Sequence, residues 1–178
     1  MEEVKRLKRE LILKAKLFEY YQDTMAFPNG NEAVWDHLEH KGAAAIVPVQ
    51  ADGTILMVRQ YRNSAGRETL EIPAGGLESK DEPTLDAALR ELEEETGYKA
   101  GKAEYLVSTL AAPAYCSEKV DIYVAMDLIP SRQHLDENEF VELESHTVDA
   151  LCEKIFAGEI CDSKTVAAIL AYARKYHV

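Results

Sequence analysis

The chain has 178 residues and a formal charge of −12, from 32 acidic and 20 basic side chains. That balance argues against a nucleic-acid or anionic-membrane surface, since both need clustered Lys and Arg. It is compatible with an anionic small molecule, because bound metal inverts the local field. The length suits one domain with an appended arm, and 47% hydrophobic content is that of a soluble globular protein.

Residues 11–26 and 32–40 read as strands around Phe27-Pro28-Asn29-Gly30, where Asn-Gly favours a tight reversal. Residues 1–41 thus form a β arm, either a small sheet of its own or extra edge strands on a main sheet. The rest, 42–178, forms the principal domain. Residues 43–50 and 54–62 read as a second strand pair across Ala51-Asp52-Gly53, and 59–67 as a basic, polar connection. Residues 83–96 are an acidic helix. Strands are expected at 103–110, 120–128 and, shorter, 140–143. Two helices follow, at 148–156, stopped by Gly158, and at 165–176, with Asp162 or Ser163 as N-cap. Strands before and after a helix predict a mixed α/β sandwich rather than a doubly wound sheet.

Cys116, Cys152 and Cys161 lack CxxC spacing and leave one unpaired in any disulfide scheme, which suits reduced thiols in the cytoplasm. The first sixteen residues have no apolar core for a signal peptide. The longest apolar stretch, 42–49, is far too short for a membrane span. The five histidines show no metal-ligand spacing.

The run Arg90-Glu91-Leu92-Glu93-Glu94-Glu95-Thr96-Gly97-Tyr98 carries the chemistry. Leu85, Ala88, Leu89 and Leu92 follow the spacing of a buried stripe. Pro83 suits the first turn of that helix, and Gly97 a left-handed stop. Glu91, Glu94 and Glu95 cluster on a face rotated from the stripe, and like charges one turn apart repel. Glu-rich helix faces are commonly solvated surface. Here the alternative is a hard divalent cation, for which carboxylate oxygens are the natural ligands.

Gly76, Glu82, Arg90, Glu91, Leu92, Glu94, Glu95, Gly97 and Tyr98 reproduce a spaced pattern that resembles the Nudix box, the metal-binding signature of the Nudix hydrolases. Gly75 is an alternative opening glycine, since Glu71-Ile72-Pro73-Ala74-Gly75 resembles the segment that leads into the box. The resemblance spans nearly the whole chain and narrows to the ADP-ribose pyrophosphatase branch. Gln60-Tyr61-Arg62 is similar to that branch's Gln-x-Arg. Pro113 and Glu118 match its substrate loop, and Asp136-Glu137-Asn138-Glu139 matches its loop bearing a catalytic glutamate. Two departures stand out: Ala114 follows Pro113 where Gly is usual, and Trp35-Asp36 replaces an Arg-Glu pair.

The resemblance implies an α/β/α sandwich with a mixed sheet and an N-terminal antiparallel β arm. It implies Mg²⁺, with Mn²⁺ as a substitute, held by Glu91, Glu94, Glu95 and the Ala74 carbonyl. The implied activity is hydrolysis of ADP-ribose to AMP and ribose 5-phosphate by water, with Arg62 clamping a phosphate. Arg90 would orient the acidic face and Glu82 would act through hydrogen bonds. Glu137 is the implied general base, with Asp136 and Glu139 as competitors. Trp35 either stacks on adenine or packs in the arm's own core; Tyr20 and Tyr21 are other aromatics of the arm. The arm implies a homodimer. Two other readings are a pyrophosphatase for another nucleotide sugar or dinucleotide, and a non-catalytic nucleotide-sensing module.

Overall fold

A computed structural model of the chain describes residues 3–135 and 137–178. It divides into two compact units, one comprising the arm through Gly42 with Leu110–Lys119, the other Ala43–Thr109 with Val120–Val178.

In the first unit, Lys5–Lys14 (β1), Phe18–Ala26 (β2) and Glu32–His40 (β3) form an antiparallel sheet in the order β1-β2-β3. The arm is therefore a sheet of its own. The single strand expected over 11–26 is instead two. The chain reverses at Ala15, whose N–H donates to the Phe18 carbonyl at 2.9 Å. The Lys14-Ala15-Lys16 stretch there has little β propensity. An isolated parallel bridge, Leu38 to Cys116, joins β3 to the 110–119 segment. Asp23 is the buried residue of β2, and Arg9 of β1 reaches it through Nε at 2.7 Å and Nη2 at 2.6 Å. A bidentate charge pair thus takes the place of a hydrophobic centre.

The second unit contains Ala43–Pro48 (β4), Ile55–Arg62 (β5), Arg67–Glu71 (β6), Ala74–Gly76 (β7), Thr84–Thr96 (α1), Tyr98–Leu110 (β8), Lys119–Pro130 (β9), Glu142–His146 (β10), Val148–Phe156 (α2) and Ser163–Tyr176 (α3). One sheet runs β7-β4-β9-β8, with β4 antiparallel to β7 and parallel to β9. The other is antiparallel, in the order β10-β5-β6.

The hairpin expected between β4 and β5 does not form as a strand pair. The turn is present, with Gly53 N–H donating to Gln50 O at 2.9 Å, but only an isolated bridge, Val49 to Ile55, follows it. β4 already has β7 and β9 on its two edges, so β5 enters the other sheet. The basic connection expected over 59–67 is corrected likewise: it is the end of β5, a turn, and the start of β6.

The alternation of β4 divides the core. Ala43, Ala45 and Val47 join Ile55, Met57, Ile122, Leu151 and Ile169 on one face. Ala44 and Ile46 meet Leu77, Ala88 and Leu92 on the other. Helix α1 thus covers one side of the mixed sheet, while the second sheet, α2 and α3 lie on the other. The unit is an α/β/α sandwich, as period-two patterning with both faces buried requires. Asp162 is the N-cap of α3, accepting from the Thr165 N–H at 3.0 Å.

Candidate active site

Helix α1 begins after Pro83, which holds an extended φ of −60° and ψ of 124° at the N-cap. It stops at Gly97, whose φ of 72° is left-handed. Its buried side differs from the expected stripe. Leu85 is 36% exposed, and the buried residues are Ala87, Ala88, Leu92, Glu95 and Thr96. Ala88, Leu92 and Glu95 share a helical face, so Glu95, 2% exposed, occupies a place that an apolar residue would fill. The acidic face is therefore not simply rotated into solvent.

Burial and the neighbouring Glu91 charge push the Glu95 carboxyl up to about 8, although the Ala74 N–H donates to it at 3.0 Å. Burial also raises Glu91, against the opposing pull of Arg90. Two adjacent carboxylates that the fold drives toward protonation are a poor arrangement for stability and a suitable one for a cation. The donor set is all oxygen, from Glu91, Glu94, Glu95 and the Ala74 carbonyl, and its chemistry fits a hard divalent ion. Among the described residues, no three acidic, His or Cys side chains are already drawn together as a metal cage.

Arg90 engages these carboxylates instead. Its Nη1 donates to Glu91 Oε1 at 2.6 Å and to Glu94 Oε2 at 3.0 Å, and its Nη2 reaches the Gly76 carbonyl at 3.3 Å. Its Nε lies 3.6 Å from Glu82 Oε1, while Glu82 Oε2 accepts the Glu78 N–H at 2.6 Å. Glu82 thus ties the loop before α1 to the acidic face. Gly75 and Gly76 both lie in β7, but they differ in kind: a Cβ at Gly75 would fall on the Glu91 carboxylate, and one at Gly76 would meet nothing.

Arg62, at the end of β5, grips Glu71 of β6 through Nε at 2.9 Å and Nη2 at 2.8 Å. Lys164 Nζ reaches the same carboxylate at 2.5 Å, and Thr69 Oγ1 donates to it at 2.6 Å. Burial pushes the Glu71 carboxyl up, but Arg62, Lys164 and Thr69 together hold it at about 2. Sequence reasoning quoted Glu71 only within the segment that leads into the box, and gave neither it nor Lys164 a role of its own. The available signal was the Glu71–Arg62 spacing, which sets both side chains on one face of the β5–β6 pair.

The 131–141 loop is fastened to the end of α1: Gln133 Nε2 donates to Glu95 O at 2.6 Å, and the His134 N–H to Glu94 O at 2.9 Å. Glu137 is exposed on this loop. Glu139 is half-buried, and its charge helps raise both Glu91 and Glu95. Asp136 lies outside the described residues.

Trp35, Pro113 and Glu118 belong to the first unit. Trp35 packs edge-on against Phe27 at 5.4 Å, yet remains 49% exposed. With Pro113, Tyr115, Arg6 and His37 it lines a cavity of about 370 Å³. One edge of Trp35 thus packs within the arm and the rest of the ring is open. The Tyr20 and Tyr21 hydroxyls donate to Asp36 at 2.6 Å and to Glu19 at 2.5 Å. Glu118 lies 3.7 Å from His40 Nδ1, and its carbonyl accepts the Ala111 N–H at 3.0 Å. Cys116 and Cys152 are half-buried free thiols, and Cys161 is exposed.

The NUDIX domain family model matches residues 39–169. The chain is 37% identical over 169 residues to an ADP-ribose pyrophosphatase of Bacillus subtilis, covering 94% of this chain and 91% of that protein. It is 38% identical over 169 residues to a methanol dehydrogenase activator of Bacillus methanolicus, with 94% and 91% covered. In three dimensions it is similar to the crystal structure of an ADP compounds hydrolase. The TM-score is 0.86 at 25% identity, covering 99% of this chain and 95% of the other.

Proposed function

The chain belongs to the Nudix hydrolase family, and from that membership we propose that it hydrolyses ADP-ribose to AMP and ribose 5-phosphate. The observation that carries this reading is Glu95, an ionisable residue kept in a buried, stability-costing position beside Glu91. A module that merely sensed a nucleotide would have no use for that cost, and retention of every box carboxylate favours an enzyme.

Glu91, Glu94, Glu95 and the Ala74 carbonyl would hold Mg²⁺, with Mn²⁺ as a substitute. Bound there, the divalent ion neutralises pyrophosphate charge and makes water a better nucleophile. Arg90 supports the acidic face through Glu91, Glu94 and the Gly76 carbonyl, and Glu82 holds the approach loop. Gly75 leaves room for the Glu91 carboxylate, and Gly97 ends the helix. Arg62 clamps a substrate phosphate, a role suited to its planar donor edge. Trp35, Pro113 and Glu118 form substrate contacts of the arm unit, with Trp35 offering its open face to adenine. A carboxylate of the 131–141 loop takes the proton from water. Glu137 has the family match, while the influence of Glu139 on Glu91 and Glu95 favours Glu139.

In this reading residues 1–41 are a dimerisation arm, 42–178 the catalytic domain, and the working form is a cytoplasmic homodimer. The test is a comparison of kcat/KM for ADP-ribose, GDP-mannose, ADP-glucose, NADH and diadenosine polyphosphates, with and without chelator. ADP-ribose should lead, and chelation should abolish turnover until Mg²⁺ is restored. If another compound leads by tenfold, about 1.4 kcal/mol of discrimination, the substrate assignment falls.

A further inference from the structure

Glu71 is buried to 2% exposure and stays ionised, so it needs compensating cations. It has two. Arg62 takes it bidentately, and Lys164, ninety-three residues away in sequence, takes the Oε2 that Arg62 Nη2 also contacts. Lys164 in turn sits 2.9 Å from Asp162 Oδ2, the N-cap oxygen of α3. Helix stability does not ask for Lys164. A cation in the first turn opposes the helix macrodipole, which favours negative charge at that end.

The charge balance suggests what it is for. Arg62 and Lys164 together offset Glu71 and Asp162, leaving the group neutral. Arg62 spends Nε and Nη2 on Glu71, and its Nη1 makes no hydrogen bond among the described residues. Its side chain is 40% exposed, and its charge is felt by Glu95. Without Lys164, the Glu71 carboxylate would draw on Arg62 alone, and the group would carry a net negative charge where an anionic substrate has to bind.

We propose that Lys164 is a positioning residue for substrate binding: by sharing the Glu71 carboxylate, it holds Arg62 in place with an outer edge still able to clamp a phosphate. This rests on the reading of the chain as an ADP-ribose hydrolase in which Arg62 meets a phosphate.

The test is steady-state kinetics on the full-length protein with Mg²⁺, comparing wild type, Lys164→Met, Lys164→Arg, Arg62→Gln and the double variant Arg62→Gln/Lys164→Met. Lys164→Met should raise KM for ADP-ribose about tenfold with kcat within about twofold, a loss of binding felt before the chemical step. Lys164→Arg, which restores the charge, should bring KM back to within about threefold. In the Arg62→Gln background, Lys164→Met should add little, because its effect runs through Arg62. If Lys164→Met is unstable, Lys164→Gln, which keeps hydrogen bonds without charge, is read in its place. An unchanged KM, or a full second tenfold rise on top of Arg62→Gln, overturns the proposal. If folded wild type does not turn over ADP-ribose, the substrate reading falls separately. Calorimetric titration of the same proteins with inorganic pyrophosphate then decides: tenfold weaker binding by Lys164→Met supports the role, and equal binding overturns it.

Discussion

Glu95 and Glu71 are both buried carboxylates, and the fold treats them in opposite ways. Burial and the neighbouring Glu91 charge outweigh the pull of the Ala74 N–H and of Arg62 on Glu95, so its carboxyl rises to about 8. Arg62 and Lys164 hold Glu71 at about 2. Glu95→Gln should therefore cut hydrolysis by at least about a hundredfold, as loss of a metal-holding charge does. It should leave the melting temperature of the metal-free protein at neutral pH equal or higher, because folding no longer has to protonate a carboxyl that is ionised in the unfolded chain. Activity within about threefold of wild type would sink the metal assignment. For Glu71 the folded value lies below the ordinary one of 4.5, so its contribution is complete above pH 4.5 and disappears as pH falls toward 2. The shift corresponds to about 3 kcal/mol. Urea unfolding of wild type between pH 5 and 2 should lose that much more stability than Glu71→Gln, and parallel losses would refute the ion-pair account. The acidic run could be picked out because its carboxylates are close in sequence, and Arg62 because its segment resembles the family's Gln-x-Arg. Lys164 could not, because its partner lies across a tertiary contact that no spacing encodes.

At the level of elements, the limits of α1 and α2 were readable from Pro83, Gly97 and the apolar spacing, and the structure puts them there to within a residue. The turn at Asp52-Gly53 was equally readable. What followed it was not, since a turn signal does not say whether the next strand pairs back or joins another sheet. β6 and β7 escaped notice because Arg67-Glu68-Thr69 is polar and Ala74-Gly75-Gly76 has almost no side chain to show a period. Glu95 itself misled the stripe, since a buried acid breaks the apolar pattern that marks a helix's inner face. The loop before β10 carries its own test. Glu139→Gln should lower kcat at least about tenfold with little change in KM, and Glu137→Gln should do far less. A reversed pair of outcomes would return the base to Glu137, as the family motif has it.

For the molecule as a whole, removal of residues 1–40 should yield a monomer with little affinity for ADP-ribose, judged by light scattering and calorimetry. A truncated chain that stays dimeric and active would rule out the arm as the dimerisation element. The parallel pairing of β4 with β9 has a consequence for biosynthesis. Ala43 finds Val120, and Pro48 finds Ala125, so the innermost strand waits for most of the polypeptide to be made. Until then an apolar segment buried on both faces in the finished protein has one unprotected edge, the kind that recruits stray strands. The nascent chain is thus most prone to aggregate after α1 has left the ribosome and before β9 does, and a stalled or truncated product ending in that interval would be the one that chaperones hold.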